Sequence, residues 1–390
     1  MAGAAAGGFV ARAFESMLKE CANKKYGGLQ SAIKTYLEAL QVDLVLNPLR
    51  IAFETKNLKL VELALDCLHK LIGYNHLEGD PGLDSGTKSK LLADVLNMVC
   101  SCIGNSTPDS TTLQVLKVLL TSIASTKLRV HGDVLLAVIS VCFNVALSSS
   151  INQATSKAML AQMLTIIFRL ESDVVPSDSL QPKEAQTEDR LNDSNESSHC
   201  CQSDPIKAAE NLLHVKHVNI NFPPYVEEIR NLDGATDVKG LEAIFKKAVS
   251  LQYSGKTASE MDPQFTNVKL CDALLVFRTL CEMSVKEGND EFTIKSRILA
   301  LELLQGSLDD ILLSKSFSFI DSIRADLSYA ILRASVSDST ILFQCAVEIF
   351  SVFLLRLREN VKVEIPIFFP LIVLHSLDGS DLNRKLTVLR

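Results

Sequence analysis

The sequence predicts an all-α protein: an armadillo- or HEAT-like α-solenoid of stacked helices, interrupted by a long disordered acidic linker. Three observations carry that prediction. Apolar residues recur every three or four positions, in run after run of about 12 to 18 residues joined by short connectors. No run alternates with period two between hairpin turns. Leu, Ala, Val, Ile and Ser dominate, whereas aromatic residues make up 6% and Trp is absent, so the core is aliphatic and suits helices. Helix pairs of roughly 40 residues are too small to hide their own apolar faces, so neighbouring pairs must stack.

The elements follow in order. Phe9, Val10, Ala13, Phe14, Met17 and Leu18 share one helical face, with Arg12, Glu15 and Lys19 opposite. That polar face is short and mixed in sign, which favours packing on the next helix over a membrane surface. A break at Gly27-Gly28 precedes a second helix through Leu40, and Asn47-Pro48 marks a turn with Pro48 in the first turn of the next helix. Leu58, Val61, Leu65, Leu68 and Ile72 form a stripe closed by Gly73 and a loop from Glu78 to Gly86. Further stripes run through Leu91, Val95, Met98 and Cys102, then Leu113, Leu116, Leu119, Leu120 and Ile123. Val134, Leu135, Val138, Val141, Cys142 and Val145 come next, and Met159, Met163, Ile166 and Ile167 complete the first series.

After Glu171 the periodicity stops. Ser172 to Ile206 holds eight acidic and two basic residues among Ser, Gln, Asn and Pro, which reads as a disordered linker. Asn221-Phe-Pro-Pro-Tyr225 is a further break, and Lys239 to Leu251 fits an isolated helix. Near Val268 a second series begins with Leu270, Leu274, Phe277, Leu280 and Cys281. It continues through Ile298, Leu301, Leu304 and Leu308, then Phe319, Ile323, Leu327 and Ile331, then Phe343, Val347, Phe350 and Leu354. Ile365 to Leu374 looks like a Pro-started helix with a buried face. The expected domains are therefore 1–171, the linker 172–264, and 265–390.

With 47% hydrophobic and 22% charged residues, the 390-residue chain buries a sizeable core and is not a disordered polymer. A net charge of −7 argues against a phosphate-backbone ligand, so no nucleic-acid partner is expected. Most of the ten cysteines lie in apolar helical text, which fits a reduced cytoplasmic setting. The N-terminus has no basic n-region or apolar h-region, and the window from Ile341 to Leu357 carries Gln344, Glu348 and Arg356, too polar to span a bilayer.

No catalytic, cofactor or metal residue is expected. Gly79, Gly82 and Gly86 ahead of Thr87-Lys88-Ser89 resemble a phosphate loop only faintly, because Lys does not follow the last Gly and no strand precedes. A helix-connecting turn is the better reading. The cysteines of His199-Cys200-Cys201, with His214 and His217 downstream, are adjacent rather than spaced for zinc. Cys100 and Cys102, two apart on a helix, point to different faces. His69 and His131 read as helix-surface or turn histidines, and Asp309-Asp310 as a solvated pair. Asn152-Gln153 reads as a cap and helix start. No nucleophile elbow occurs, so no small-molecule substrate is expected.

Five stretches carry a resemblance. They are Leu58-Lys-Leu-Val-Glu-Leu-Ala-Leu-Asp-Cys-Leu-His-Lys-Leu-Ile72, Val141-Cys-Phe-Asn-Val-Ala-Leu147, Ile151-Asn-Gln-Ala-Thr-Ser-Lys-Ala-Met-Leu-Ala-Gln-Met-Leu164, Asp272-Ala-Leu-Leu-Val-Phe-Arg-Thr-Leu-Cys281 and Phe319-Ile-Asp-Ser-Ile-Arg-Ala-Asp-Leu-Ser-Tyr329. In that order they resemble the N-terminal regulatory half of the large brefeldin-A-inhibited Arf guanine-nucleotide exchange factors, the plant branch above all. The first series is similar to the dimerisation and cyclophilin-binding domain (DCB), the second to the start of the homology-upstream domain (HUS). The sequence departs from the family in ending at Arg390, before the Asn-Tyr-Asp-Cys HUS box and the exchange domain. It therefore reads as a fragment, a truncated product or a partial gene model.

The resemblance implies a non-catalytic regulatory scaffold: homodimeric self-association, contact between the two domains, and recruitment by Arf and Arf-like small GTPases. Its implied place is the cytoplasm, peripherally attached to Golgi, trans-Golgi or endosomal membranes, in vesicle traffic. An unrelated armadillo-type adaptor for peptides or proteins is the alternative, and a helical enzyme with a site assembled from distant residues is a third.

Overall fold

A computed structural model describes residues 2–21, 24–39, 44–83, 86–104, 106–169, 267–288, 290–313, 317–358 and 364–389. The linker, the His199-Cys200-Cys201 group with His214 and His217, the break at Asn221 to Tyr225 and the helix expected over Lys239 to Leu251 lie outside them.

The first series comprises α1 (Ala2–Glu20), α2 (Gly27–Ala39), α3 (Leu46–Glu54), α4 (Leu58–Gly73), α5 (Thr87–Ser101), α6 (Asp109–Ala124), α7 (Gly132–Leu147) and α8 (Gln153–Phe168). The second comprises α9 (Val268–Val285), α10 (Glu291–Leu313), α11 (Phe317–Ser335) and α12 (Thr340–Arg356). Then come α13 (Ile365–Phe368), a π-helical turn (Phe369–Leu374), α14 (His375–Asp378) and α15 (Leu382–Leu389). Among the described residues the only β pairing is a single bridge between Gly79 and Leu128.

Local chemistry sets the helix starts. Asn57 accepts from the Lys59 amide at 3.1 Å, Asn267 from the Lys269 amide at 3.1 Å, and Asp290 from the Thr293 amide at 3.0 Å. Each side-chain oxygen satisfies a first-turn N–H that has no carbonyl to bond. Pro48 is buried in the first turn of α3, and Pro366 opens α13.

Helix α1 packs on α4 and α2 on α3; from α3 onward, packing runs between a helix and the one two places on: α3 with α5, α4 with α6, α5 with α7, α6 with α8. The rule does not stop where the linker intervenes. Helix α7 packs on α9 and α8 on α10, after which α9 packs on α11 and α10 on α12. The two series are thus one continuous stack with one aliphatic core, in which Leu65, Val138, Phe277, Leu304 and Ile349 are fully enclosed.

Several expectations need correction. Gly27 and Gly28 do not break the chain but open α2, and a 3₁₀ turn over Lys24–Tyr26 makes the connection. Leu58, at the very start of α4, is 43% exposed, and Ile166 on α8 is 37% exposed. Leu274 is only partly buried, at the edge of its stripe. Asn152 stands at the N-cap position of α8 without capping it; its Nδ2 donates instead to the Asp109 carbonyl at 2.8 Å, tying α8 to the start of α6.

Candidate functional site

The place where the two series meet is the most chemically specific part of the molecule. Asn267 starts α9, and one turn in stands Asp272, only 8% exposed despite its charge. A carboxylate is buried only where partners replace its water. Both partners come from the other series. Gly132 N–H, at the start of α7, donates to Asp272 Oδ1 at 2.9 Å, and His131 Nδ1 lies 2.6 Å from Oδ2. His131 occupies the N-cap position of α7 but makes no side-chain cap of its own. Asp272 therefore caps α7 from 140 residues away, where a negative charge also complements the helix dipole.

A loop locks this corner from behind. Gly79 N–H donates to the Lys127 carbonyl at 3.1 Å, Arg129 N–H to the Gly79 carbonyl at 3.0 Å, and His131 N–H to the Pro81 carbonyl at 2.9 Å. Gly82 has φ +99°, and a Cβ there would stand 2.0 Å from the His131 carbonyl oxygen, so only glycine fits. Asp80 sits 3.7 Å from His131 Nε2 and 2.8 Å from Arg129 Nε.

The loop glycines thus form a helix-connecting turn, as expected, strapped to residues 127–131. His131 does lie at a turn, but it is 6% exposed and engaged, not on the surface. Its Nε2 faces the Asp80 carboxylate, so among the described residues the imidazole bridges two carboxylates and acts as a joint between the series.

Apolar packing completes the seam. Phe168, the last residue of α8, meets Phe277 of α9 edge-on at 6.1 Å and Phe319 of α11 at 6.4 Å, while those two rings lie 6.3 Å apart. All three are fully buried, and edge-to-face contacts add about 0.5–1.5 kcal/mol each beyond area burial. Lys157 of α8 pairs with Glu302 of α10 at the rim.

Two solvent-open hollows flank the joint. One, of about 420 Å³, lies among the ends of α6 and α8 and the starts of α7 and α9. The other, of about 460 Å³, lies between the loop at Leu83 and the start of α9. Both include Arg129, His131 and Lys269 in their walls.

The remaining candidate groups lie elsewhere. Cys100 is buried in α5 and Cys102 follows its end, donating weakly to the Met98 carbonyl; burial pushes their thiols up to about 12 and about 11. Burial likewise holds Cys67 and Cys142 at about 12. Asp309 pairs with Arg356 at the surface, and His69 is half-buried on α4. Asp272 is a site residue that sequence reasoning misses; the signal for it is a carboxylate one turn into α9, directly ahead of the apolar run Ala273-Leu-Leu-Val-Phe277. Among the described residues no group of three metal-type side chains forms, and no helix is long and apolar enough to cross a membrane.

Comparison with known proteins matches two segments of the chain. Residues 10–173 match the Mon2/Sec7/BIG1-like dimerisation and cyclophilin-binding domain, and residues 270–390 match the Mon2/Sec7/BIG1-like HUS domain. Brefeldin A-inhibited guanine nucleotide-exchange protein 3 of Arabidopsis thaliana is 30% identical over 387 residues, covering 89% of this chain and 22% of that protein. Protein 4 of the same name and plant is 31% identical over 377 residues, covering 92% of this chain and 21% of that protein. Human protein 1 is 24% identical over 473 residues, covering 89% and 26%. The chain spans about a fifth of the length of its plant relatives. With both halves matched in order along a single stack, the chain belongs to the Mon2/Sec7/BIG1-like family.

Proposed function

We propose that this chain is a non-catalytic regulatory scaffold of an Arf guanine-nucleotide exchange factor. It self-associates through its first helical series and is recruited by Arf-type small GTPases to Golgi, trans-Golgi or endosomal membranes, where it acts in vesicle traffic. The observation that carries this reading is the ordered pair of domain matches to relatives named as guanine nucleotide-exchange proteins. The seam adds physical support, because Asp272 and Phe168 give the two halves a specific contact. We assign three parts, 1–171, an acidic linker 172–264 and 265–390, and no residue a role in exchange chemistry.

Pull-down with GTP- and GDP-loaded Arf proteins, with light scattering for self-association, tests the scaffold. Preference for the GTP form together with a dimer is the expected result, and a strict monomer that retains neither form overturns it. Nucleotide release from Arf should proceed at its uncatalysed rate when the chain is added. Deleting 172–206 should leave the denaturation midpoint nearly unchanged, since loop closure costs only about 0.6 kcal/mol per doubling of length.

A further inference from the structure

We propose that residues 239–251, which lie outside the described part of the chain, dock as an amphipathic helix in the first hollow and brace the seam between the two series. Wound as a helix, this segment divides cleanly. Leu241, Ile244, Phe245, Ala248, Val249 and Leu251 fall on one face, and Lys239, Glu242, Lys246, Lys247 and Ser250 on the other. Isolated helices shorter than about 12–15 residues are marginal in water, so such a face needs an apolar partner.

The hollow supplies that partner. Its wall includes Ile123 and Ala124 at the end of α6 and Ile166 and Ile167 near the end of α8, none of them buried. Lys269 and Asp272 of α9 line the same space of about 420 Å³, so a helix seated there touches both series. Its binding therefore stabilises their docking by linkage. The tether selects this occupant over others. The stretch outside the described residues leaves from Arg169, in the wall of the first hollow, and returns at Asn267, in the wall of the second. Residues 252–266 join the segment to Asn267 and span at most about 50 Å when extended. The segment thus stays within range of the hollow, at an effective concentration on the order of millimolar. The contact is apolar, with the lysines on the face turned to water, and it does not require a GTPase partner.

The test compares the whole chain with a variant in which 239–251 is replaced by a Gly-Ser stretch of equal length. A fluorescein-labelled peptide of sequence 239–251, read by anisotropy, should bind the replaced variant at least about tenfold tighter than the parent, whose own segment already fills the hollow. Ala124→Asp and Ile166→Asp, at exposed wall positions, are each placed in the replaced variant and checked for unchanged helix content by circular dichroism. Each should weaken the peptide by about tenfold, because a charge is set against its apolar face. In the parent, Ile244→Asp combined with Phe245→Asp should speed hydrogen exchange at the ends of α6 and α8. Equal binding to parent and replaced variant, undiminished binding to both wall variants, or unchanged exchange overturns the proposal. Peptide that binds phosphatidylserine vesicles but not the replaced variant also overturns it, because the apolar face would then serve a membrane.

Discussion

Replacing Asp272 by Ala removes a side chain that caps α7 and the Nδ1 partner of a buried imidazole. The structure sets the magnitude. Two bonds are lost, from the half-buried Gly132 N–H at 2.9 Å and from Nδ1 of the buried His131 at 2.6 Å. Loss of a helix cap costs about 1–2 kcal/mol, and an orphaned buried polar group about 1–3 kcal/mol, so Asp272→Ala should cost about 2–5 kcal/mol. Asp272→Asn keeps an acceptor for Gly132 and should cost less. In urea denaturation followed by circular dichroism, the midpoint should fall while the slope stays that of the parent. The double variant with His131→Ala should show a coupling of about 0.5–3 kcal/mol. A cost within about 0.5 kcal/mol of zero, or strict additivity with His131→Ala, would refute the view that this pair joins the two series.

Other perturbations have equally definite outcomes. Phe168→Ala empties the centre of the three-ring cluster and should cost about 3–5 kcal/mol; limited proteolysis should then cut near 267–288 faster than in the parent. Gly82→Ala forces a Cβ into the His131 carbonyl at positive φ, so it should cost more than the roughly 1–3 kcal/mol of backbone strain alone; an unchanged midpoint would mean the strap is loose. Leu65→Ala, at a fully enclosed site, should cost about 2–5 kcal/mol, and Leu274→Ala, at a stripe edge, clearly less in the same assay. Burial raises the thiols of Cys67, Cys100 and Cys142 from 9.0 to about 12. The unfolded thiols ionise first, so this stabilisation is complete below pH 9 and is lost as pH climbs toward 12. Native protein at pH 8 should protect these three from a thiol reagent that labels them after denaturation.

The reach of the sequence has a physical boundary here. Stripes such as Val134, Leu135, Val138 and Cys142 were legible because a helix repeats its buried face every three to four residues, and the observed α7 buries all four. Exposure at stripe ends was not: Leu58 and Ile166 obey the period, yet they stand near the ends of their helices and are more than a third exposed. The seam was less legible still. His131 looks like an ordinary turn residue locally, and Asp272 like a polar interruption. Their meaning comes from contact across 141 positions, and no local rule of propensity or spacing encodes such a partner. The register that brings them together is set by stacking, with α7 on α9 and α8 on α10.

That register has a temporal side. As a ribosome releases the chain, the leading amides of α7 emerge well before the carboxylate that will satisfy them, which lies 140 residues downstream. At synthesis speeds of about 5–20 residues per second the wait is on the order of ten seconds. Until then only water can serve that end of the helix, and the Phe168 ring has no aromatic neighbours from α9 or α11. The nascent first half is a staircase with a wet, sticky last step, and a chaperone that shields such a step would be most useful in that interval.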